Sequence, residues 1–253
     1  MSNEKSPMPS SHGRSGKNLL ELAYQSIEEL IVTCKLKPGT FLRIQDLQEL
    51  TGFNRMPVYQ AVTRLSTDTL LIIQPRQGIQ VSPIDLHRAQ TLLKLRRDIE
   101  RFVVALASRR SSNNDRQHMT YLINVLMSRR LAVSISEFNL IDREIDAAIL
   151  QACGEPFLEA TLRPLHTIFR RIGWLYHSLI PEGAHLDSTI NGHLDVLRAI
   201  VDADTTAAEK ASDHLMDFVE KMFPILETSL SPDLFDIQKK ALMPSDVRAA
   251  RST

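Results

Sequence analysis

Fourteen consecutive residues constrain this chain more than any others: Gly52 to Leu65, GFNRMPVYQAVTRL. Asn54 is placed to cap a helix by accepting a backbone N–H, and Pro57 falls in the first turn, where a missing N–H costs no helical bond. The helix is therefore expected to open at Arg55. Val58, Ala61, Val62 and Leu65 recur at threes and fours, which turns them inward and leaves Arg55, Tyr59, Gln60, Thr63 and Arg64 outward. Those outward side chains suit phosphates and base edges, but they also suit an ordinary solvated face. The neighbouring segments decide between the two.

Upstream, Leu19, Leu22, Ala23, Ile27, Leu30 and Ile31 form one apolar stripe that ends at Lys37-Pro38-Gly39, a first packing helix. Phe41-Leu42-Arg43 reads as a short strand. Ile44 to Leu50 reads as a short helix stopped by Gly52, which suits a left-handed turn. Downstream, the β-prone runs Leu70–Gln74 and Gly78–Val81 flank Pro75-Arg76-Gln77, a hairpin signal. Three helices and such a hairpin, in this order, make a winged helix-turn-helix, whose second paired helix enters the major groove while the wing reaches backbone or minor groove. The whole chain is neutral, with 30 Lys and Arg against 30 Asp and Glu, so contact with nucleic acid must rest on a locally basic face and on two copies.

Three motifs in this region, L-x-P-G-T (Leu36 to Thr40), G-x-x-R-x-P-V (Gly52 to Val58) and P-R-x-G-x-x-V (Pro75 to Val81), resemble the DNA-binding domain of the GntR family of bacterial transcription regulators. The resemblance implies DNA contacts from positions 54 to 60 of the recognition helix and from the wing near Gly78. The expected contact set is Arg43, Gln45, Asn54, Arg55, Met56, Pro57, Tyr59, Gln60, Arg64, Arg76, Gln77 and Gly78. Arg55 and its neighbours are expected to read bases, and Arg43, Arg64 and Arg76 to hold phosphates. Tyr59 stands where the family usually has a second arginine, and Asn54 where Ser or Thr is usual. A tyrosine cannot make the bidentate guanine contact, so the operator is expected to differ from the commonest family sequence.

Ser82-Pro83-Ile84-Asp85 reads as a linker. Beyond it the pattern predicts helices at about 85–110, 113–132, 135–153, 156–179, 186–202 and 205–229. Ser134 with Glu137 forms a capping box, Gly154 stops the third of these helices, and Pro224 is expected to kink or break the sixth. The fold class is mainly α: a winged helix-turn-helix with a small β-hairpin, then an antiparallel bundle of about six helices. The expected organisation is a disordered arm at 1–16, a DNA-binding domain at 17–82, a helical effector-binding and dimerisation domain at 83–230, and a tail at 231–253.

Within the bundle, Asp142 and Asp146 lie four apart on one helical face, with His193 and His214 on the last two helices. Their convergence would make a divalent-metal site of mixed oxygen and nitrogen ligands. Solvated side chains are the alternative. The motifs L-x-x-x-R-x-x-I-E (Leu92 to Glu100), D-x-x-I-D (Asp142 to Asp146) and H-x-x-x-x-x-A-I (His193 to Ile200), followed by His214, resemble the C-terminal ligand-binding (FCD) domain of the FadR subfamily. The resemblance implies a metal held by Asp142, Asp146, His193 and His214, with Asp146 in place of a family histidine, and zinc, manganese or nickel as the ion. It also implies a small carboxylate effector beside the ion. Arg96 matches a cavity-lining arginine of the family, and a guanidinium holds a carboxylate through two parallel hydrogen bonds. Arg170, Arg171 and Trp174 are further candidates for that lining, set against a surface basic pair and a core tryptophan.

Cys34 and Cys153 are far apart without a CxxC spacing and are read as reduced structural thiols. No stretch has the ~20 apolar residues of a membrane span or the core of a signal peptide, so a cytoplasmic protein without a membrane partner is expected. There is no Gly-rich phosphate loop or nucleophile elbow, which disfavours an enzyme. The sequence thus predicts a homodimeric, ligand-responsive repressor on an inverted-repeat operator. The alternatives are an architectural DNA-binding protein with a purely dimerising bundle, and a metal-dependent hydrolase.

Overall fold

A computed structural model describes residues 12–130, 132–179 and 186–230, with side chains described from Leu19 onward. The backbone divides into two compact units that part at Pro83 and Ile84. The first unit runs α1 (His12–Val32), β1 (Phe41–Leu42), α2 (Ile44–Thr51), α3 (Arg55–Thr67), β2 (Leu71–Gln74) and β3 (Gly78–Val81). The strands form one antiparallel sheet in the order β1-β3-β2, with Ile73 opposite Ile79 and Phe41 opposite Gln80.

Ala23, Ile27 and Ile31 of α1 and Val58, Ala61, Val62 and Leu65 of α3 are buried together with Leu47 of α2. The recognition helix is thus seated by the apolar face that its spacing predicted. Leu19 and Leu22, expected in the α1 stripe, are 42% and 44% exposed because the buried face of α1 runs instead through Tyr24. The expected arm also ends sooner: His12 to Gly16 belong to α1, while residues 1–11 and the tail after Leu230 lie outside the described residues. Gly52 closes α2 with φ 76°, the left-handed turn that glycine permits. Asn54 occupies the extended N-cap position of α3 but makes no side-chain capping bond, contrary to expectation.

The second unit is helical throughout its described residues: α4 (Leu86–Arg110), α5 (Asn113–Arg129), α6 (Ile135–Cys153), α7 (Pro156–Leu179), α8 (Asp187–Val201) and α9 (Thr205–Ser229). The caps read from sequence are present: Asp85 accepts from the Arg88 N–H, Ser134 and Glu137 form a reciprocal box, and Gly154 ends α6 with φ 68°. Pro224 neither ends nor divides α9. It removes one helical donor, but Met222, Phe223 and Leu226 are buried on both sides of it and hold the last turns in place. α4 packs along α9 and α6, α8 lies on α9, and the core gathers Val103, Leu126, Ile145, Leu162, Ile190 and Leu197.

Candidate functional sites

In the first unit, α3 presents its polar face outward. Arg55, Tyr59, Gln60 and Thr63 are exposed, as is Met56 at 63%. A concave surface lined by Arg43, Gln45, Gln48, Glu49, Phe53 and Arg55 joins the starts of α2 and α3. Arg76 and Gln77 are exposed at the hairpin tip, with Arg76 at φ 65°. Gly78 has φ 107°, and a Cβ there would stand 2.8 Å from the Leu42 carbonyl oxygen, so the wing requires glycine. Arg64 is placed differently from the expectation that it holds phosphate. Its guanidinium pairs with Glu21 at 2.7 Å and lies over the Tyr24 ring at 4.3 Å, tying α3 to α1. Tyr24 donates to Asp68 at 2.8 Å, and burial, reinforced by the negative charge of Glu28, pushes the Tyr24 hydroxyl above its ordinary range.

In the second unit, a cavity of about 50 Å³ opens between α4, α6, α7, α8 and α9, room for on the order of four waters. Its charged side chains form a continuous network. Arg96 of α4 donates from Nε to Glu100 at 2.9 Å and rests on the Phe169 ring at 5.0 Å. Glu100 also meets His166 Nε2 at 2.7 Å, and His166 Nδ1 lies 3.3 Å from Asp146. Arg170 lies 3.5 Å from Asp142 and 3.8 Å from Asp146. His193 donates from Nδ1 to the Thr189 carbonyl and from Nε2 to Asp142, both at 2.7 Å.

These contacts set the charges. Burial raises the Glu100 pKa, but His166 and Arg96 outweigh it and hold the group at about 2. Burial likewise opposes ionisation of Asp142, and His193 and Arg170 outweigh it, so Asp142 is held low. Asp146 goes the other way, pushed up to about 6, because burial and the Asp142 charge exceed the help from His166 and Arg170. Burial disfavours the charged form of His193, yet Asp142 outweighs it and raises the pKa.

Residues 91–218, half of the chain, match the FCD domain, and residues 19–81 match the bacterial regulatory proteins of the gntR family. The chain belongs to the GntR family. It is similar to the HTH-type transcriptional repressor RspR of Escherichia coli, 24% identical over 203 residues, covering 79% of this chain and 86% of that one. The HTH-type transcriptional regulator McbR of Escherichia coli is 24% identical over 185 residues, 72% of this chain and 81% of that one. The solved structure of E. coli McbR/YncC superposes with a TM-score of 0.70 at 21% identity, covering 83% of this chain and 98% of that one. A putative GntR regulator from Rhodococcus sp. RHA1 gives 0.60 at 14% identity, covering 85% and 100%. This chain is a GntR-family transcription regulator with an FCD domain, and such regulators bind DNA operators and are not enzymes. No helix among the described residues is long and apolar enough to cross a membrane.

FCD domains are often metal-associated, but the residues of this GntR regulator do not fit a metal. Among the described residues, no three His, Cys, Asp or Glu side chains converge so as to hold an ion. His214 is exposed on α9, and its neighbour Leu215 lines the cavity instead. His193 Nε2 is turned to Asp142 at 2.7 Å, and the Arg170 guanidinium lies beside both Asp142 and Asp146 at 3.5 Å and 3.8 Å. Of the arginines on α7, Arg170 rather than Arg171 lines the cavity, and Trp174 lies off the lining while Arg96 lies on it. Sequence reasoning missed Glu100 and His166 as members of the network. The signal was available: Arg96 and Glu100, and likewise His166 and Arg170, are four apart on one helical face, the same spacing that drew attention to Asp142 and Asp146.

Proposed function

We propose that this GntR regulator is a homodimeric repressor that binds an inverted-repeat operator and is released from it by a small carboxylate bound in the helical cavity. Arg96 is the observation that carries the effector reading. It is buried, its hydrogen-bond partner is Glu100 through Nε, and it lines the cavity on an aromatic seat that holds the guanidinium plane in place. That arrangement leaves the outer edge of a fixed fork for a carboxylate. Asn139 supports it: its side-chain nitrogen is shut off from solvent without a hydrogen-bond partner, and the residue lines the same cavity.

The operator reading rests on the exposed face of α3 and the wing, with Arg55, Tyr59, Gln60, Arg43 and Arg76 as the contacts. Support for a second copy comes from α4. Leu92, Leu95, Ile99, Phe102 and Leu106 recur at threes and fours, and Leu95 and Phe102 remain 50% and 55% exposed. Leu92, Ile99 and Leu106 pack against the core of their own unit, so Leu95 and Phe102 are the apolar side chains this stripe leaves for a second copy. The effector alters operator affinity only by binding the free and DNA-competent arrangements unequally. The test is operator binding at fixed salt with short carboxylates added. Affinity that falls for wild type and stays constant for Arg96→Met supports the reading, and affinity indifferent to every carboxylate removes it.

A further inference from the structure

The walls of the helical cavity are unlike. Helices α4, α6, α7 and α8 bring Arg96, Asp142, His166, Arg170 and His193 to it, whereas α9 contributes only Leu215, Met216, Phe218, Val219 and Met222. We infer that the cavity takes a short monocarboxylate with an apolar tail, and takes it without a metal ion, because the Arg170 guanidinium is the cation already resident between Asp142 and Asp146. The inference rests on the reading of the cavity as a carboxylate site.

The charge pattern favours one carboxylate and no ion. Arg170 stands 3.5 Å and 3.8 Å from the two aspartates, so a divalent ion between them would have to displace a covalently anchored guanidinium. The aspartates are thereby occupied, and the Arg96 edge is left for the anion. The tail must then meet α9, a wall without a strong donor or acceptor. Each methylene packed there raises affinity about fourfold. Each hydroxyl turned toward it and left unpartnered lowers affinity by roughly tenfold. The cavity is small, so butyrate and glycerate, nearly equal in size and alike in charge, separate the two classes.

The experiment is thermal unfolding of the full chain, followed by the fluorescence of Trp174, with butyrate or glycerate titrated in the presence and absence of EDTA and with added zinc, manganese or nickel. Stabilisation by butyrate at lower concentration than glycerate, unchanged by chelator and by metal, is the expected result. Glycerate binding tighter than butyrate overturns the apolar-tail inference while leaving a carboxylate site. Butyrate binding that disappears with EDTA and returns with an ion overturns the metal-free part. No shift with either acid removes both this inference and the effector reading beneath it. Val219→Thr, a near-isosteric change at a partly exposed position, is expected to weaken butyrate several-fold and to narrow its preference over glycerate. Unchanged butyrate affinity in that variant counts against α9 as the seat of the tail.

Discussion

Replacing Glu100 with Gln keeps the shape of the side chain and removes its charge from the centre of the helical unit. Glu100 is buried, accepts from Arg96 at 2.9 Å and meets His166 at 2.7 Å. Its pKa is held at about 2 against an ordinary 4.5, a preference for the charged form of roughly 3 kcal/mol. Breaking a buried pair from one side costs a similar amount, about 3–5 kcal/mol, since Arg96 is left uncompensated. Glu100→Gln is therefore expected to lower the stability of the helical unit by about 3 kcal/mol at neutral pH, a drop of roughly 6–12 °C in melting temperature for a unit of this size. The folded-state pKa is depressed, so this contribution is fully present above pH 4.5 and is lost as pH falls toward 2. The difference between wild type and variant should close over that interval. Urea unfolding followed at Trp174, the chain's one tryptophan, isolates the helical unit from the winged one. A difference below about 1 kcal/mol at pH 7, or one that does not narrow on acidification, refutes the reasoning.

Arg55→Ala, at an exposed position of α3, is expected to leave the melting temperature unchanged and to cost about 1–3 kcal/mol of operator binding in a titration at fixed salt. Full affinity and selectivity in that variant would remove the recognition-helix assignment. Gly78→Ala places a Cβ 2.8 Å from the Leu42 oxygen at φ 107° and should destabilise the winged unit by about 1–3 kcal/mol, read as its melting transition, together with a loss of DNA affinity. Phe102→Glu puts a charge on the exposed α4 stripe proposed to meet a second copy and is expected to yield a monomer by sedimentation. A variant that remains dimeric places the interface elsewhere.

Much of the winged unit is legible in the sequence because its signals are local. Gly52, Pro57 and the Val58 to Leu65 spacing fix the helix, and Pro75 to Gly78 fix the hairpin. The ends of the bundle helices are legible for the same reason, through caps such as Ser134 and Gly154. The cavity is harder to read, since it depends on helix rotation. Along the middle of α7 almost every residue is buried, Leu165, His166, Thr167, Phe169, Arg170, Arg171 and Ile172 among them, so periodicity does not tell Arg170 from Arg171. On α9 it does: Ala208, Ala211, Leu215, Met222 and Leu226 trace the buried stripe, and His214 falls one residue, about 100°, off it. A resemblance in spacing outweighed that signal. Pro224 leaves α9 unbroken for the opposite reason, a strong local rule overridden by packing.

The most direct test of regulated, specific DNA binding is capture of fragmented genomic DNA from the source organism by the purified full chain at one moderate salt concentration, followed by sequencing of what is retained. The account predicts a small set of fragments sharing an inverted repeat, enriched by wild type and not by Arg55→Ala. Retention without any common sequence, or equal retention by the variant, would contradict it.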